Sequence, residues 1–203
     1  MAKNNYSKFT ASYLDCLSML ESNTAVLYTA LADKVNLPQV KSVLLGAAND
    51  SQKHSMQLKG VVENLARTKA KPRGDGKLEG VFNVTYTIYK EIIDEEEITQ
   101  EDLLAIAEKL AVLEKILGEK YVFVQSKTSQ FPEKESDPFH SENLDYLGSM
   151  FARMIDDGEQ HQKLLGTVKE LVEQKAQQHA DSTELASCVA SASLTISPKS
   201  RQV

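Results

Sequence analysis

The sequence contains no tryptophan, only nine glycines and five prolines in 203 residues, and just two cysteines. Each scarcity excludes something. With glycine and proline so thinly spread, long stretches carry no helix breaker, and helices become the expected element. Cys16 and Cys188 are far apart and form no Cys-x-x-Cys, so a small metal-ribbon module is excluded. So few thiols suggest a reducing cytoplasm in which both are free, a Cys16–Cys188 disulfide being the alternative. No run approaches the roughly 18 apolar residues of a membrane span. The opening MAKNNYSKFT lacks the apolar stretch of a signal peptide. A net charge of −6 argues against nucleic-acid binding, which needs clustered Lys and Arg.

What the chain does have is helical periodicity, in four segments. The first spans about residues 7–35 with Leu14, Leu17, Glu21, Ala25, Tyr28, Leu31 and Val35 on one stripe. Asn36 and Pro38 make a tight corner, proline being well suited to a first helical turn. The second segment runs to about Arg67 through Val40, Val43, Ala47, Asp50, His54, Leu58, Val61 and Leu65. So short a corner demands an antiparallel hairpin. Residues 68–98 form a long connection, with the basic KAKPRGDGK followed by VFNVTYTIYKEII. In the latter, Val84, Tyr86 and Ile88 alternate as in a strand, whereas Phe82, Tyr86, Tyr89 and Ile93 have helical spacing. A short helix is preferred, because a strand would have no partner.

The third segment opens on a variant capping box, Thr99 with Asp102, and reaches about Gln125. Its stripe is Leu103, Ile106, Ala107, Leu110, Glu114, Leu117, Tyr121 and Val124. After a loop with Pro132 and Pro138, the fourth runs from about Ser141 to Gln178. It presents Leu144, Leu147, Phe151, Met154, Asp157, His161, Leu165, Val168 and Val172. The expected architecture is an all-α antiparallel four-helix bundle over residues 1–178, with a long crossover between the second and third helices. Residues 179–203, rich in Ser, Ala and Thr, are expected to be a tail, disordered or pinned to the surface. His140 and His179 read as solvated, and Met150 and Met154 as packing. The first helix has a second apolar flank, Tyr13, Cys16, Leu20 and Leu27, to be covered by the crossover, the tail or a second copy in a homodimer.

The two hairpins repeat each other. Glu21 and Tyr28 are seven residues apart, as are Glu114 and Tyr121. Seven residues is close to two turns, so each pair shares a face. DSQKH gives Asp50 and His54; DGEQH gives Asp157 and His161. From Glu21 the chain climbs about fifteen residues to the corner and descends about seventeen to His54, which sets the two at one height at roughly 1.5 Å per residue. Two Glu, two Asp and two His thus reach the middle of one bundle. Polar groups rarely enter such stripes without a reason.

In these residues the chain resembles the ferritin-like superfamily, and rubrerythrin-like di-iron carboxylate proteins in particular, over about residues 7–178. The resemblance implies that Glu21 and Glu114 fall on the terminal glutamate ligands and His54 and His161 on the ligand histidines. Tyr28 and Tyr121 match aromatic positions beside the centre, where they would be auxiliary to catalysis or simply large core residues. Asp50 and Asp157 match carboxylates that orient the histidine of the opposite helix, and could act as substitute ligands. The bridging glutamates belong three residues before each histidine, where Ser51 and Gly158 stand. The site is therefore a degenerate one.

Two functions compete at this point. One is a metal-binding protein of redox or iron-handling type, taking a divalent ion (iron foremost, manganese or zinc otherwise) and reacting with oxygen or peroxide. With no rubredoxin-type segment, redox turnover would need an external electron donor. The other is a metal-free helical scaffold or oligomeric interaction module. In it Asp50 pairs with His161 and Asp157 with His54, leaving no group unsatisfied.

Overall fold

A computed structural model describes residues 3–66, 78–128 and 138–193. They form five helices and, among the described residues, no strand: α1 Lys3–Lys34, α2 Pro38–Ala66, α3 Glu79–Asp94, α4 Gln100–Thr128 and α5 Pro138–Ser193. The fold class is all-α. The basic segment at 69–77, Pro132 and the last ten residues lie outside the described residues, as do the side chains of Leu65, His140, Leu144, His179 and Cys188. No described helix is long and apolar enough to cross a membrane.

Local chemistry sets the helix ends. Pro38 is the first residue of α2, where a missing N–H costs nothing. At the start of α4, the Asp102 amide donates to Thr99 Oγ1 at 3.1 Å and the Thr99 amide to Asp102 Oδ2 at 3.3 Å. That reciprocal pair satisfies two amides that have no partner within the helix.

Cross-helix contacts fix the directions. Ser18 Oγ donates to the Ser55 carbonyl at 3.0 Å, and Glu21 faces His54. As residue numbers rise along α1 they fall along α2, so the two are antiparallel. Gln125 against Gly148 and Glu114 against His161 give the same relation for α4 and α5. Between the hairpins, Tyr28 meets Glu114 and Tyr121 meets Glu21, so α1 and α4 are antiparallel too. It follows that α2 and α4 run in the same direction, and the chain must travel back between them. Helix α3 makes that return alongside α1. Its middle, Phe82 to Tyr89, lies beside Asn23, Val26 and Leu27, and Lys34 Nζ bonds the carbonyls of Ile93 and Glu95 at its end.

Three expectations change here. Residues 79–94 are helical as preferred, but the buried face of α3 is Val81, Thr85, Ile88 and Ile92. Tyr86 is 63% exposed and Ile93 also faces outward. Aromatic spacing drew the stripe one residue away from the face that α1 covers. Next, α5 does not stop near Gln178 but continues to Ser193. No glycine or proline interrupts 167–197, and Ala, Gln, Glu and Leu sustain a helix without a strong apolar stripe. Finally, the second flank of α1 is covered within the chain. Tyr13, Leu20 and Leu27 are buried, Tyr13 against the ring of Phe123 with centroids 5.8 Å apart, and Leu27 beneath α3. Cys16 on that flank is a partly buried free thiol.

The core stripes of α1 and α4 are buried as the sequence indicates, and they enclose a polar layer at Glu21 and Glu114. Leu17 and Leu31 bracket Glu21; Leu110 and Leu117 bracket Glu114. Each such leucine contributes on the order of 2 kcal/mol by leaving water. Together they close the polar layer above and below, so electrostatic interactions among its buried groups are strong. The α4 cap is testable in isolation from that layer. Thr99→Ala should lower stability by about 1 kcal/mol, read as a lower urea midpoint with an unchanged slope.

Candidate functional site

Glu21 and Glu114 are 3% and 5% exposed, and His54, His161, Tyr28 and Tyr121 are as deeply buried. Their helices bring them to one level, as the repeat requires. The pairing across the hairpins is reciprocal. Tyr28 of α1 donates its hydroxyl proton to Glu114 Oε1 of α4 at 2.7 Å, and Tyr121 of α4 donates to Glu21 Oε1 of α1. Each tyrosine therefore serves the glutamate of the other hairpin, not the one seven residues away on its own helix. Tyr121 also stacks on Phe151, with centroids 6.1 Å apart.

The histidines are arranged the same way. Each turns Nδ1 to the glutamate of its own hairpin and Nε2 to the aspartate of the other. For His54 these distances are 3.5 Å to Glu21 Oε1 and 3.0 Å to Asp157 Oδ2. For His161 they are 3.1 Å to Glu114 Oε1 and 3.6 Å to Asp50 Oδ2. The last separation is an ion-pair distance but too long for a hydrogen bond, so His161 Nε2 is left as a buried nitrogen without a hydrogen-bond partner. Asp50 and Asp157 are not core residues as their stripe positions suggested. Their side chains are 41% and 32% exposed, at the rim. The buried arc of α2 runs instead through Ser51, His54, Ser55 and Leu58. From the rim each aspartate reaches only the outer ring nitrogen. It can orient the imidazole but does not converge with the glutamate on Nδ1.

Electrostatics follow from this enclosure. Burial alone would lower the pKa of His54, but the Glu21 and Asp157 carboxylates outweigh it and hold it above the ordinary 6.5. His161 is raised for the same reason, by Glu114 and Asp50 against its own burial. Burial lifts both tyrosines well above their ordinary value, with Glu114 adding to Tyr28 and Glu21 to Tyr121. The phenols thus stay protonated donors, and a proton taken up by either imidazole offsets buried carboxylate charge that would otherwise carry a large desolvation cost.

Does this set suit a metal ion? The donor types do: each half offers one carboxylate and one imidazole Nδ1 facing each other, with Nε2 tied outward. The donor number is short. Among the described residues no group of three or more His, Cys, Asp or Glu is gathered as a metal centre. Ser51 is buried and brings only a hydroxyl, and Gly158 brings no side chain. Each half-site is therefore a two-donor anchor, and solvent would complete the coordination.

Several buried hydroxyls were not singled out in the sequence. Ser18 and Ser55 meet at 3.3 Å between α1 and α2, and Thr24 Oγ1 donates to the Leu20 carbonyl at 2.9 Å. Their signal was present, because Ser18 is one turn from Glu21 and Ser55 one turn from Ser51. Small polar residues at those positions let the hairpin helices approach closely.

Comparison with protein-family models, with curated proteins and with solved structures gives no significant match.

Two outcomes test the geometry. Tyr28→Phe and Tyr121→Phe each remove a hydrogen bond to a buried carboxylate, and each should destabilise by about 1.5–3 kcal/mol. The double variant should depart from the sum, since both bonds serve one charge network; a double-mutant cycle by urea unfolding checks this. The second outcome concerns pH in chelator. Folded pKa values raised above 6.5 give stability that is complete below the unfolded value and lost as pH rises through the folded one. The melting temperature of metal-free protein should therefore fall on the alkaline side, and His54→Asn with His161→Asn should flatten that decline.

Proposed function

We propose that the chain is a ferritin-like four-helix bundle, with α3 as its crossover, whose two Glu–His half-sites take up a divalent metal ion in exchange for imidazolium protons. Iron is the foremost candidate, with manganese or zinc as alternatives, and the role is redox chemistry or iron handling. The observation that supports this most is the orientation of the histidines. Each Nδ1 faces a buried glutamate of its own hairpin, and each Nε2 is turned to an aspartate of the other. That arrangement turns a carboxylate and an imidazole nitrogen towards each other in each half, with the His54 ring also fixed from behind by Asp157.

Glu21 and His54 would hold one ion, Glu114 and His161 another. Bound iron would supply reaction with oxygen or peroxide, electrons coming from an external donor. The protein's own residues have definite tasks. Asp157 keeps the His54 imidazole turned inward through its hydrogen bond, Asp50 faces the outer nitrogen of His161 at ion-pair distance, and the tyrosine hydroxyls hold one oxygen of each glutamate in place. The leucine layers exclude bulk water. One divalent ion replacing two imidazolium protons leaves the buried charge unchanged, whereas an ion in each half-site adds two positive charges that Asp50 and Asp157 at the rim would offset.

A metal-free scaffold is the second reading. It is favoured by the lack of a third donor in either half and by a proton network that already pairs the buried groups.

Metal content separates the two. Protein purified without chelator should carry Fe, Mn or Zn, and Glu114→Ala and Glu21→Ala should each lose the ion of their own half-site. Because ion uptake releases protons, affinity should rise with pH, and saturating metal should raise the melting temperature most on the alkaline side. If protein reconstituted with Fe, Mn and Zn retains none by elemental analysis, the scaffold reading stands instead.

A further inference from the structure

The two half-sites are equivalent in residues but not in access. On the outer face of α4 and α5 a groove of about 670 Å³ is lined by Glu114, Gly118, Ile155, Gly158, Glu159 and Lys163, among others. One wall of it is the buried carboxylate itself. The reason is Gly158: a Cβ at that position would lie 3.5 Å from Glu114 Oε2, with nothing else nearer than 3.9 Å. No side chain therefore stands between this oxygen and the groove. Glu114 Oε1 holds both Tyr28 and His161, whereas among the described residues no hydrogen bond reaches Oε2, the oxygen nearest the notch.

The repeat supplies an internal control. By the register that matches Glu114 to Glu21 and Asp157 to Asp50, the same groove recurs on α1 and α2. It is lined by Ala25, Val26, Thr29, Ala48 and Gln52, counterparts of Gly118, Glu119, Val122, Ile155 and Glu159, with Tyr89 of α3 at its edge. Neither Glu21 nor Ser51 lines it. Ser51, the counterpart of Gly158, is buried and stands where the notch would be.

Resting on the metal-binding reading above, we propose that the α4–α5 groove is a port through which a hydrated divalent cation reaches Glu114 and His161. The Glu21–His54 half-site has no such port. The groove has room for an ion with several waters, each of about 30 Å³. Its acidic residues, Glu114, Glu119 and Glu159, face two lysines, Lys115 and Lys163, a balance that draws a cation inward without trapping it at the mouth. The two half-sites then fill unequally, the Glu114 side first.

Stopped-flow absorption with Co(II) on the full chain, metal-free at the outset, tests this. Wild-type protein should show a fast phase that is absent in Glu114→Gln and retained in Glu21→Gln. Gly158→Val places two methyl groups over Glu114 and should slow that phase by at least about tenfold, a modest steric barrier. Circular dichroism would establish that this variant is folded. Ser51→Gly provides the converse and does not depend on it: a second fast phase should appear, sensitive to Glu21→Gln. A fast phase unchanged by Gly158→Val, or one that follows Glu21 in the wild type, overturns the port while leaving metal binding intact. Absence of any Co(II) uptake by the wild type defeats metal binding and the port together.

Discussion

Two glutamates buried between two helical hairpins set the terms for the rest of this molecule. An ionised carboxylate in an apolar layer is tolerable only if its charge is answered, and here each is answered from both hairpins. Tyr28 and Tyr121 cross from one hairpin to the other's glutamate, and Asp157 and Asp50 cross to the other's histidine. Neither hairpin can complete its polar layer alone. The same interactions that satisfy the charges therefore align α1 with α4 and α2 with α5.

That dependence explains why the site is symmetric in connectivity yet uneven in detail. The outer aspartate contact is short for His54 and long for His161, while the inner glutamate contact is the reverse. Glu114 draws His161 inward, away from Asp50, and His161 Nε2 loses its partner. Gly158 belongs to the same side, next to Glu114. The looser outer contact and the open notch thus occur in one half-site, leaving the other closed and better bonded. A duplicated pair of hairpins can divide labour in this way without altering the residues that define either half.

On the proposed metal-binding reading, the proton network and a metal ion are alternatives for the same space. With imidazolium protons in place the buried charges are balanced; with a divalent ion they are balanced again after protons leave. Ser51 and Gly158, read from the sequence as lost bridges, have this consequence: they lower the buried negative charge until four ionisable groups can pair among themselves.

Much was legible from the residues alone, because helical periodicity is local. The stripes of α1 and α4, the corner at Pro38, the Thr99–Asp102 cap and the repeated Glu, Tyr, Asp and His spacings need only the 3.6-residue turn to be recognised. Other features depend on what another helix covers, and no local pattern carries that. The buried face of α3 is set by the helices it packs on, so the exposed Tyr86 and half-buried Tyr89 misled the stripe, and Asp50 and Asp157 lie at the rim while His54 and His161 are buried. The continuation of α5 to Ser193 was hidden because its residues favour a helix without marking a buried face. Which tyrosine bonds which glutamate, and that Gly158 opens where Ser51 closes, were decided only when non-local packing fixed the relative height and rotation of the two hairpins.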